Sequence, residues 1–277
     1  MKTIRALSRG LEVLECLGKN NSTSLNELHL TTKLSKATLL RILLTLENKG
    51  WVYRSLGDSN YRISVNSPMF GSITGGENEL IELAAPILRE LSNLVGWPSD
   101  LAIRDDVNMK IIDSTRRQSP LSINKDVVGF CPHMLWSALG RAYLAFCPDD
   151  ERMSILTALK DSKESFDQVS GDDNWVIHQL NDTRTRGYAV RETGYWGHIV
   201  DYPSNVDAIA LPVISGAKVR CCISVAWVAG AITEQQVETT LFPALQSAAE
   251  EIANVLKADR VARDAARPAG SACLARR

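Results

Sequence analysis

The chain has 277 residues, of which 45% are hydrophobic and 23% charged, and its formal net charge is −1. This length suits two globular domains with packed cores, and the absence of any run of about 18 apolar residues predicts no membrane-spanning helix. The first ten residues lack the apolar stretch of a signal peptide, and the six cysteines include no C-x-x-C pair. We therefore expect a cytoplasmic protein with free thiols.

The charge is unevenly distributed along the chain. Residues 1–66 hold ten Lys and Arg against five Asp and Glu, a net charge of +5, and the remainder has a net charge of −6. A basic head on an acidic body is typical of a DNA-binding domain joined to a separate sensing domain.

The N-terminal segment predicts a helix that packs behind those that follow it. Ser8 is a suitable N-cap, and the leucines at 7, 11, 14 and 17 are spaced to form an inward stripe. Gly18 and the polar run after it are expected to end this helix.

Residues 24–62 predict a helix-turn-helix followed by a β-hairpin. A short helix over residues 24–32 is followed by a turn at Lys33 and Leu34, and Ser35 is a good N-cap for a second helix over residues 36–49. Leu39, Ile42, Leu43 and Leu46 fall on one helical face and are expected in the core.

The opposite face of this second helix predicts base recognition, because a recognition helix presents its first turns to the major groove. Arg41 can bond to guanine, and Ala37 or Leu40 can contact a thymine methyl group. Gly50 is expected as a left-handed cap before the hairpin wing, where Arg54 and Arg62 are positioned to meet phosphates. The predicted DNA-binding residues are Ser35, Lys36, Ala37, Thr38, Leu40, Arg41, Thr45, Arg54 and Arg62. The alternative, a small helical domain with a basic surface, does not explain the order of these elements.

The rest of the chain predicts an α/β sensing domain. A Ser-, Gly- and Pro-rich segment, 67–76, predicts a linker, and leucines at helical spacing predict a helix over 77–95 that contains Pro86. Further helices are expected at 135–146, 151–159, 174–186 and 233–258, with strands at 100–104, 108–115, 188–192, 206–214 and 219–228. This order favours helices flanking an antiparallel sheet, followed by a disordered Ala- and Arg-rich tail.

The head resembles the N-terminal domain of IclR-type transcriptional regulators. The matching segments include Leu34 to Thr38, Arg41 to Leu43, Gly50 to Val52 and Tyr61 to Ile63, whereas Lys33 replaces the usual glycine of the turn. In the body, LAAPILREL, SALGRAYLAFCP and the hairpin from Asp207 to Thr233 resemble the effector-binding domain of that family. Short segments such as WPSD and PALQ resemble its MhpR-like branch, whose members respond to aromatic acids.

This resemblance implies an α+β protein: a winged helix-turn-helix domain joined by a linker helix to a GAF-like α/β effector-binding domain with an antiparallel sheet. The implied boundaries are 1–66, 67–79 and 80–258, followed by a tail at 259–277. By position, Ser224, Asp207 and Ala226 fall where the family contacts its effector.

The same resemblance, with the clustering of aromatic residues, implies a pocket for a small organic acid. The candidate effector residues are Trp97, Asp100, Arg116, His133, Trp136, Tyr195, Trp196, Asp207, Ser224, Ala226 and Trp227, with Arg117 and His198 as further candidate cations. Alanine at 226 removes a serine donor, which favours an aromatic acid over a small 2-oxo acid. Alternatively, these aromatic residues are core or dimer surface.

Other polar residues are assigned structural roles. His133 is expected to be hydrogen-bonded within the fold, and Cys221 and Cys222 are expected to be packing thiols because adjacent strand residues face opposite ways. Acidic pairs at predicted helix starts are explained by capping and the helix dipole. No catalytic residue, metal site or cofactor is predicted.

The hypothesis from the sequence is a ligand-responsive regulator that binds double-stranded DNA as a dimer or a dimer of dimers. We expect it to control an aromatic-catabolic operon, with RNA polymerase as a partner if it activates transcription. The alternatives are a repressor that responds to a 2-oxo acid, an enzyme tethered by its head, and a sensor that contacts proteins rather than a small ligand.

Overall fold

The computed structural model describes residues 4–20, 22–64, 76–120, 125–162, 165–195 and 206–266, and the side chains of all of these except 165–166 and 260–266. The predicted linker therefore lies almost wholly outside the described residues. Within them, no helix is long and apolar enough to cross a membrane.

Three helices form the head: α1 (Arg5–Lys19), α2 (Leu25–Thr32) and α3 (Lys36–Asn48). Ser24 and Glu27 form a reciprocal capping box at the start of α2. Ser35 caps α3, as the sequence predicts. Leu39, Leu43 and Leu46 are buried in the shared core, and Ile42 is half-buried beside them. The helix-turn-helix prediction is therefore confirmed.

Helix α1 differs from its prediction at its start and in its inward face. It begins at Arg5 after Ile4 rather than at a Ser8 cap. Leu14 and Leu17 are buried with Val13 and Cys16, but Leu7 is 59% exposed and Leu11 39% exposed. The predicted stripe was wrong at its first two positions, because only the second half of α1 covers the head core.

A two-stranded antiparallel hairpin follows, made of β1 (Val52–Arg54) and β2 (Tyr61–Ile63). Gly50 has a φ of +67°, the left-handed conformation expected of it. All three residues of β2 are buried, whereas a strand with one solvated face alternates. Strand β2 is therefore covered on both sides, whereas β1 ends at the exposed Arg54.

Helix α4 (Glu77–Val95) begins and ends where the sequence predicts and runs through Pro86. Five strands then form one antiparallel sheet in the order β4-β3-β7-β6-β5. Their bounds are β3 Ser99–Asp105, β4 Asn108–Ser114, β5 Ala189–Val190, β6 Val206–Ser215 and β7 Lys218–Val228. The predicted antiparallel sheet is thus confirmed, although β5 is shorter than expected.

Helices cover both faces of this sheet. On one face lie α5 (Ala138–Phe146), α6 (Asp149–Lys160) and α7 (Asp173–Arg186), with a 3-10 turn at Ser165–Gly171. On the other lie α4 and α9 (Phe242–Ala266), preceded by α8 (Glu234–Gln236) and a π turn at Val237–Leu241. We call these the α5 face and the α4/α9 face.

The C-terminal helix extends further than predicted. It was expected to end at residue 258 with a disordered tail from 259, but α9 continues to Ala266. The alanines and arginines of this segment are good helix formers, and the first Pro and Gly come only after it. Composition alone therefore placed the boundary eight residues too early.

Candidate DNA-binding face and effector site

The N-terminal turns of α3 form an exposed, cationic face. The Ser35 hydroxyl accepts the Thr38 amide at 3.3 Å and lies 2.9 Å from the Thr38 hydroxyl, which fixes the first turn. Leu40 is 47% exposed, an unusual position for leucine unless it has a partner. The residues exposed on this face are Lys36, Ala37, Leu40, Arg41, Leu44 and Thr45. They include most of the predicted DNA-binding residues, on one side of one helix.

The turn before α3 is stabilised even though its usual glycine is absent. Lys33 has a φ of +55°, and its amide donates to the carbonyl of His29 at 3.0 Å. His29 in turn bonds through Nδ1 to the carbonyl of Leu34 at 2.7 Å. A lysine therefore adopts the left-handed conformation in which glycine is favoured, and the helix-turn-helix geometry is kept.

The two hairpin arginines differ in availability. Arg54 is exposed, and its Nε donates to the carbonyl of Ser59 at 2.9 Å. Arg62 is only 6% exposed and makes two hydrogen bonds to the Asp58 carboxylate, at 3.0 and 2.6 Å. The prediction that Arg62 meets phosphates was wrong, because its charge is buried and already paired.

In the body, Asp100 and Arg116 are bound to each other. Arg116 donates from Nε to Asp100 at 2.9 Å and from a terminal nitrogen at 2.7 Å, and Ser114 donates to the same carboxylate at 2.7 Å. Both members of the pair are buried. Arg116 was predicted as a cation for the effector, but the two guanidinium nitrogens that could bind a ligand carboxylate are already bonded to Asp100.

The α5 face of the sheet is lined by small residues around Ser224. Strand pairing places Ser224 beside Asp100 and Ala210, and Ala226 beside Ala208. Alternation along β6 and β7 places Asp207 and Trp227, which are paired with each other, on the α4/α9 face. Trp227 packs there in the core. Ser224 and Ala226 therefore share one face of the sheet, whereas Asp207 and Trp227 lie on the other.

Arg191 is a cation on the α5 face that the sequence did not single out. Its amide bonds to the carbonyl of Ala208, which continues the β5–β6 ladder. Its guanidinium donates to the carbonyl of Tyr195 and lies 5.3 Å from the centre of that ring. Burial lowers the pKa of Arg191 and Arg116 nearby adds to the effect, whereas Tyr195 and the Asp207 carboxylate oppose it. Among the described residues, no carboxylate lies within ion-pair distance of it.

His133 has a structural role. Its Nε2 bonds to Asp167, its Nδ1 accepts the Leu135 amide at 3.1 Å, and its own amide donates to the Tyr195 hydroxyl at 2.9 Å. Burial lowers the pKa of His133, although Asp167 opposes this. Because both ring nitrogens are engaged within the fold, His133 has the hydrogen-bonded structural role expected of it and is not available as a cation for the effector.

The predicted aromatic residues have several environments. Tyr195 is buried beside Arg191, whereas Trp97 and Trp136 are half-buried at the margin of the core, with Trp136 5.6 Å from Trp175 between ring centroids. Trp196 and His198 lie outside the described residues. Arg117 forms an exposed ion pair with Asp126.

The adjacent cysteines are packing groups. Cys221 lies in the α4/α9 core and Cys222 in the α5 core, and both are fully buried. Burial raises the pKa of both thiols. Across the residues that the structure describes, no group of three or more His, Cys, Asp or Glu is arranged to hold a metal ion.

Comparison with known families accounts for both halves of the chain. Residues 75–254 match the bacterial transcriptional regulator IclR C-terminal domain, and residues 6–55 match the IclR helix-turn-helix domain. The chain belongs to the IclR family.

Relatives of this IclR-family chain include named repressors. The transcriptional repressor IclR of Escherichia coli is 29% identical over 157 residues, which is 55% of this chain and 57% of that protein. An uncharacterized HTH-type transcriptional regulator of Haemophilus influenzae is 24% identical over 80% of this chain and 81% of its own length. A structure of an IclR family regulator from Brucella abortus has a TM-score of 0.51, at 23% identity and 93% coverage of both chains.

Membership of this family makes the chain a DNA-binding transcriptional regulator rather than an enzyme. The head that matches the helix-turn-helix model carries the exposed face of α3. Sequence reasoning found that face from helical periodicity. It missed Arg191, because nothing in its local sequence distinguishes it from the other arginines.

Proposed function

We propose that α3 is the recognition helix of this regulator, with Arg41, Ala37 and Leu40 facing base edges and Ser35, Lys36, Thr38 and Thr45 beside them. The support is that the first turns of α3 are exposed and unobstructed by the rest of the described chain. An arginine side chain there can make a bidentate bond to guanine, and apolar side chains can contact thymine methyl groups. Arg54 is exposed and can add a phosphate contact.

We further propose that the effector is a small organic acid, most favourably an aromatic one, bound on the α5 face near Ser224. The single observation that supports this best is Arg191: a half-buried guanidinium beside the Tyr195 ring, with no described carboxylate in ion-pair distance. A buried cation is costly unless it is paired, so a ligand carboxylate would stabilise it. Ser224 shares this face of the sheet with the small side chains of Ala208, Ala210 and Ala226.

A structural relative is consistent with this ligand class. An IclR homolog from Microbacterium hydrocarbonoxydans, 18% identical with a TM-score of 0.51, was solved in complex with 4-hydroxybenzoate. This makes an aromatic acid the first ligand to test, and the MhpR-like assignment and control of an aromatic-catabolic operon stay part of the proposal.

A second candidate is a repressor that responds to a 2-oxo acid. The names of relatives favour repression as the mode, among them the acetate operon repressor of Salmonella typhimurium. The first candidate, a regulator that responds to an aromatic acid, can instead activate transcription, with RNA polymerase as its partner. A promoter reporter separates the two, since an activator raises transcription above the basal level and a repressor lowers it.

Pairing of two copies is part of the proposal. A dimer, or a dimer of dimers, would place two recognition helices about 34 Å apart on one side of the duplex. The exposed Ile4 and Leu7 on α1 offer apolar surface for a second copy.

A thermal-melting screen of the full chain with benzoates, phenylpropanoates and 2-oxo acids tests the effector proposal. At a concentration about 100 times Kd, a ligand should raise Tm by about 5 °C. Arg191→Gln should remove that shift, because it removes the charge that faces the carboxylate. Arg220→Gln is the matched control, since Arg220 is exposed at the start of β7.

Two results would contradict the effector proposal. One is that no acid in the screen changes Tm. The other is that Arg191→Gln melts normally without ligand yet keeps the full ligand-induced shift.

A further inference from the structure

The turn of the hairpin is buried against the body of its own chain. The Asp113 carboxylate, near the end of β4, accepts the Gly57 amide at 2.6 Å and the Ser55 hydroxyl at 3.2 Å. Ser55, Leu56 and Gly57 are all buried. A turn held in this way cannot reach a DNA backbone without first breaking these hydrogen bonds.

The fit at this contact is tight enough to require glycine. A methyl group at Gly57 would overlap the side chain of Val128 and would lie 2.8 Å from the Asp113 carboxylate and 3.0 Å from the Ser114 amide. Gly57 does not have a positive φ, so its backbone would accept alanine. The requirement for glycine therefore comes from the body surface, not from the turn itself.

Contacts on either side of the turn extend this docking. The Tyr53 hydroxyl donates to the carbonyl of Asn78 at 3.1 Å, and its ring packs against the core of the α4/α9 face. The Ser64 hydroxyl donates to Glu82 on α4. Both ends of the hairpin are thus attached to α4, and the turn is attached to β4.

The end of β4 that holds the hairpin also lies beside the proposed effector site. Ser114 follows Asp113 directly and donates to Asp100, which lies beside Ser224 in the sheet. Because alternate residues face opposite sides, Asp113 holds the hairpin on one side of β4 while Ser114 faces the other. A shift of the strand end at Ser114 would therefore also move Asp113.

We propose that Ser55, Gly57, Asp113 and Val128 form a latch that sets the direction in which α3 faces relative to the body. In a dimer, the latch fixes the spacing of the two recognition helices. Transmission of an effector signal through Ser114 to the latch rests in addition on the effector site proposed above. The hairpin is then a contact between the domains, and DNA recognition is left to α3.

The latch is tested with Gly57→Ala in the full chain, by peptide-resolved hydrogen exchange without DNA or ligand. Exchange over residues 52–62 should accelerate at least about tenfold, because the methyl group displaces the turn, while exchange over 36–48 should be unchanged. Adding Val128→Ala, which removes part of the overlap, should slow that exchange again. Gly10→Ala is the control, since nothing lies within 4 Å of that position.

DNA binding tests the positioning role. Duplexes are selected by the wild-type chain from a random library, and each selected duplex is then cut to one half-site. Gly57→Ala should weaken binding to the two-site duplex by about tenfold and binding to the half-site by less than about twofold, because free heads must be reoriented before both can bind.

The outcomes are distinguishable from failure of the effector proposal, since neither measurement uses an effector. Unchanged exchange over residues 52–62 would overturn the latch. Faster exchange with equal affinities on both duplexes would overturn its positioning role. If Gly57→Ala also loosens α3, Asp113→Ala decides, because it changes only the body, with the exposed Asp105→Ala as its control. Asp113→Ala must then free the hairpin and reproduce the two-site defect, or the proposal fails.

Discussion

Helix α3 and the hairpin that follows it belong to one motif, yet they meet different surroundings. The cationic side of α3 is exposed, and Arg41 forms no ion pair with any described carboxylate. In the hairpin, Arg62 is buried against Asp58 and the turn is bound by Asp113. A positive residue in a DNA-binding motif is therefore available to DNA only if the rest of the chain leaves it unpaired and exposed.

The largest difference between the two regions is expected when the paired arginine, Arg62, is removed. Arg62→Ala should lower the free energy of unfolding of the head by about 3 kcal/mol, because it leaves the half-buried Asp58 carboxylate without its partner. Arg54→Ala should change it by less than about 0.5 kcal/mol, since Arg54 is exposed. Urea denaturation followed by hydrogen exchange in the head peptides measures both. Equal losses would show that the two arginines are equivalent.

The pH dependence of the free energy of unfolding tests the buried contact between the hairpin and Asp113. Burial raises the pKa of Asp113 to about 6, against hydrogen bonds from Gly57, Ser114 and Ser55 and the attraction of Arg62. A carboxyl group whose pKa is raised on folding stabilises the fold most below its unfolded pKa, and that contribution is lost as pH rises through the folded value. Between pH 4.5 and 7.5, this residue alone should lower the free energy of unfolding by about 2 kcal/mol.

Asp113→Asn tests that contribution, because it removes the titrating carboxyl group while keeping the size of the side chain. Relative to wild type, Asp113→Asn should gain about 2 kcal/mol as pH rises from 4.5 to 7.5, measured by urea denaturation at matched ionic strength. Besides Arg62, charged or titratable groups near this contact include Tyr53, Asp58, Glu82 and Arg117. A difference between the two proteins that does not vary with pH would show that Asp113 is not held at a raised pKa.

The parts of the fold that sequence predicted well are those determined by local spacing. Leucines at helical intervals placed α4 at Glu77–Val95, and two apolar runs around a Ser-Gly-Ala-Lys turn placed β6 and β7. Capping chemistry placed Ser35 correctly at the start of α3. These signals are contained within a few consecutive residues.

The errors concern partners distant in sequence. Arg116 pairs with Asp100 across 16 residues, and Gly57 meets Asp113 across 56. No local pattern distinguishes an arginine that is paired inside the fold from one that faces a ligand, so Arg62 and Arg116 were assigned to ligands and Arg191 was overlooked. The sequence of β2, with an arginine between Tyr61 and Ile63, likewise gives no local sign that the strand is buried.

The central claim, that α3 recognises DNA while the hairpin binds its own body, is tested most directly by Arg41→Ala. On a duplex selected by the wild-type chain, this variant should bind about 10 to 100 times more weakly, with unchanged Tm and unchanged affinity for scrambled DNA. Lys49→Ala, at the exposed far end of α3, should stay within about threefold. A folded Arg41→Ala protein that keeps wild-type selectivity for the selected duplex would contradict the account.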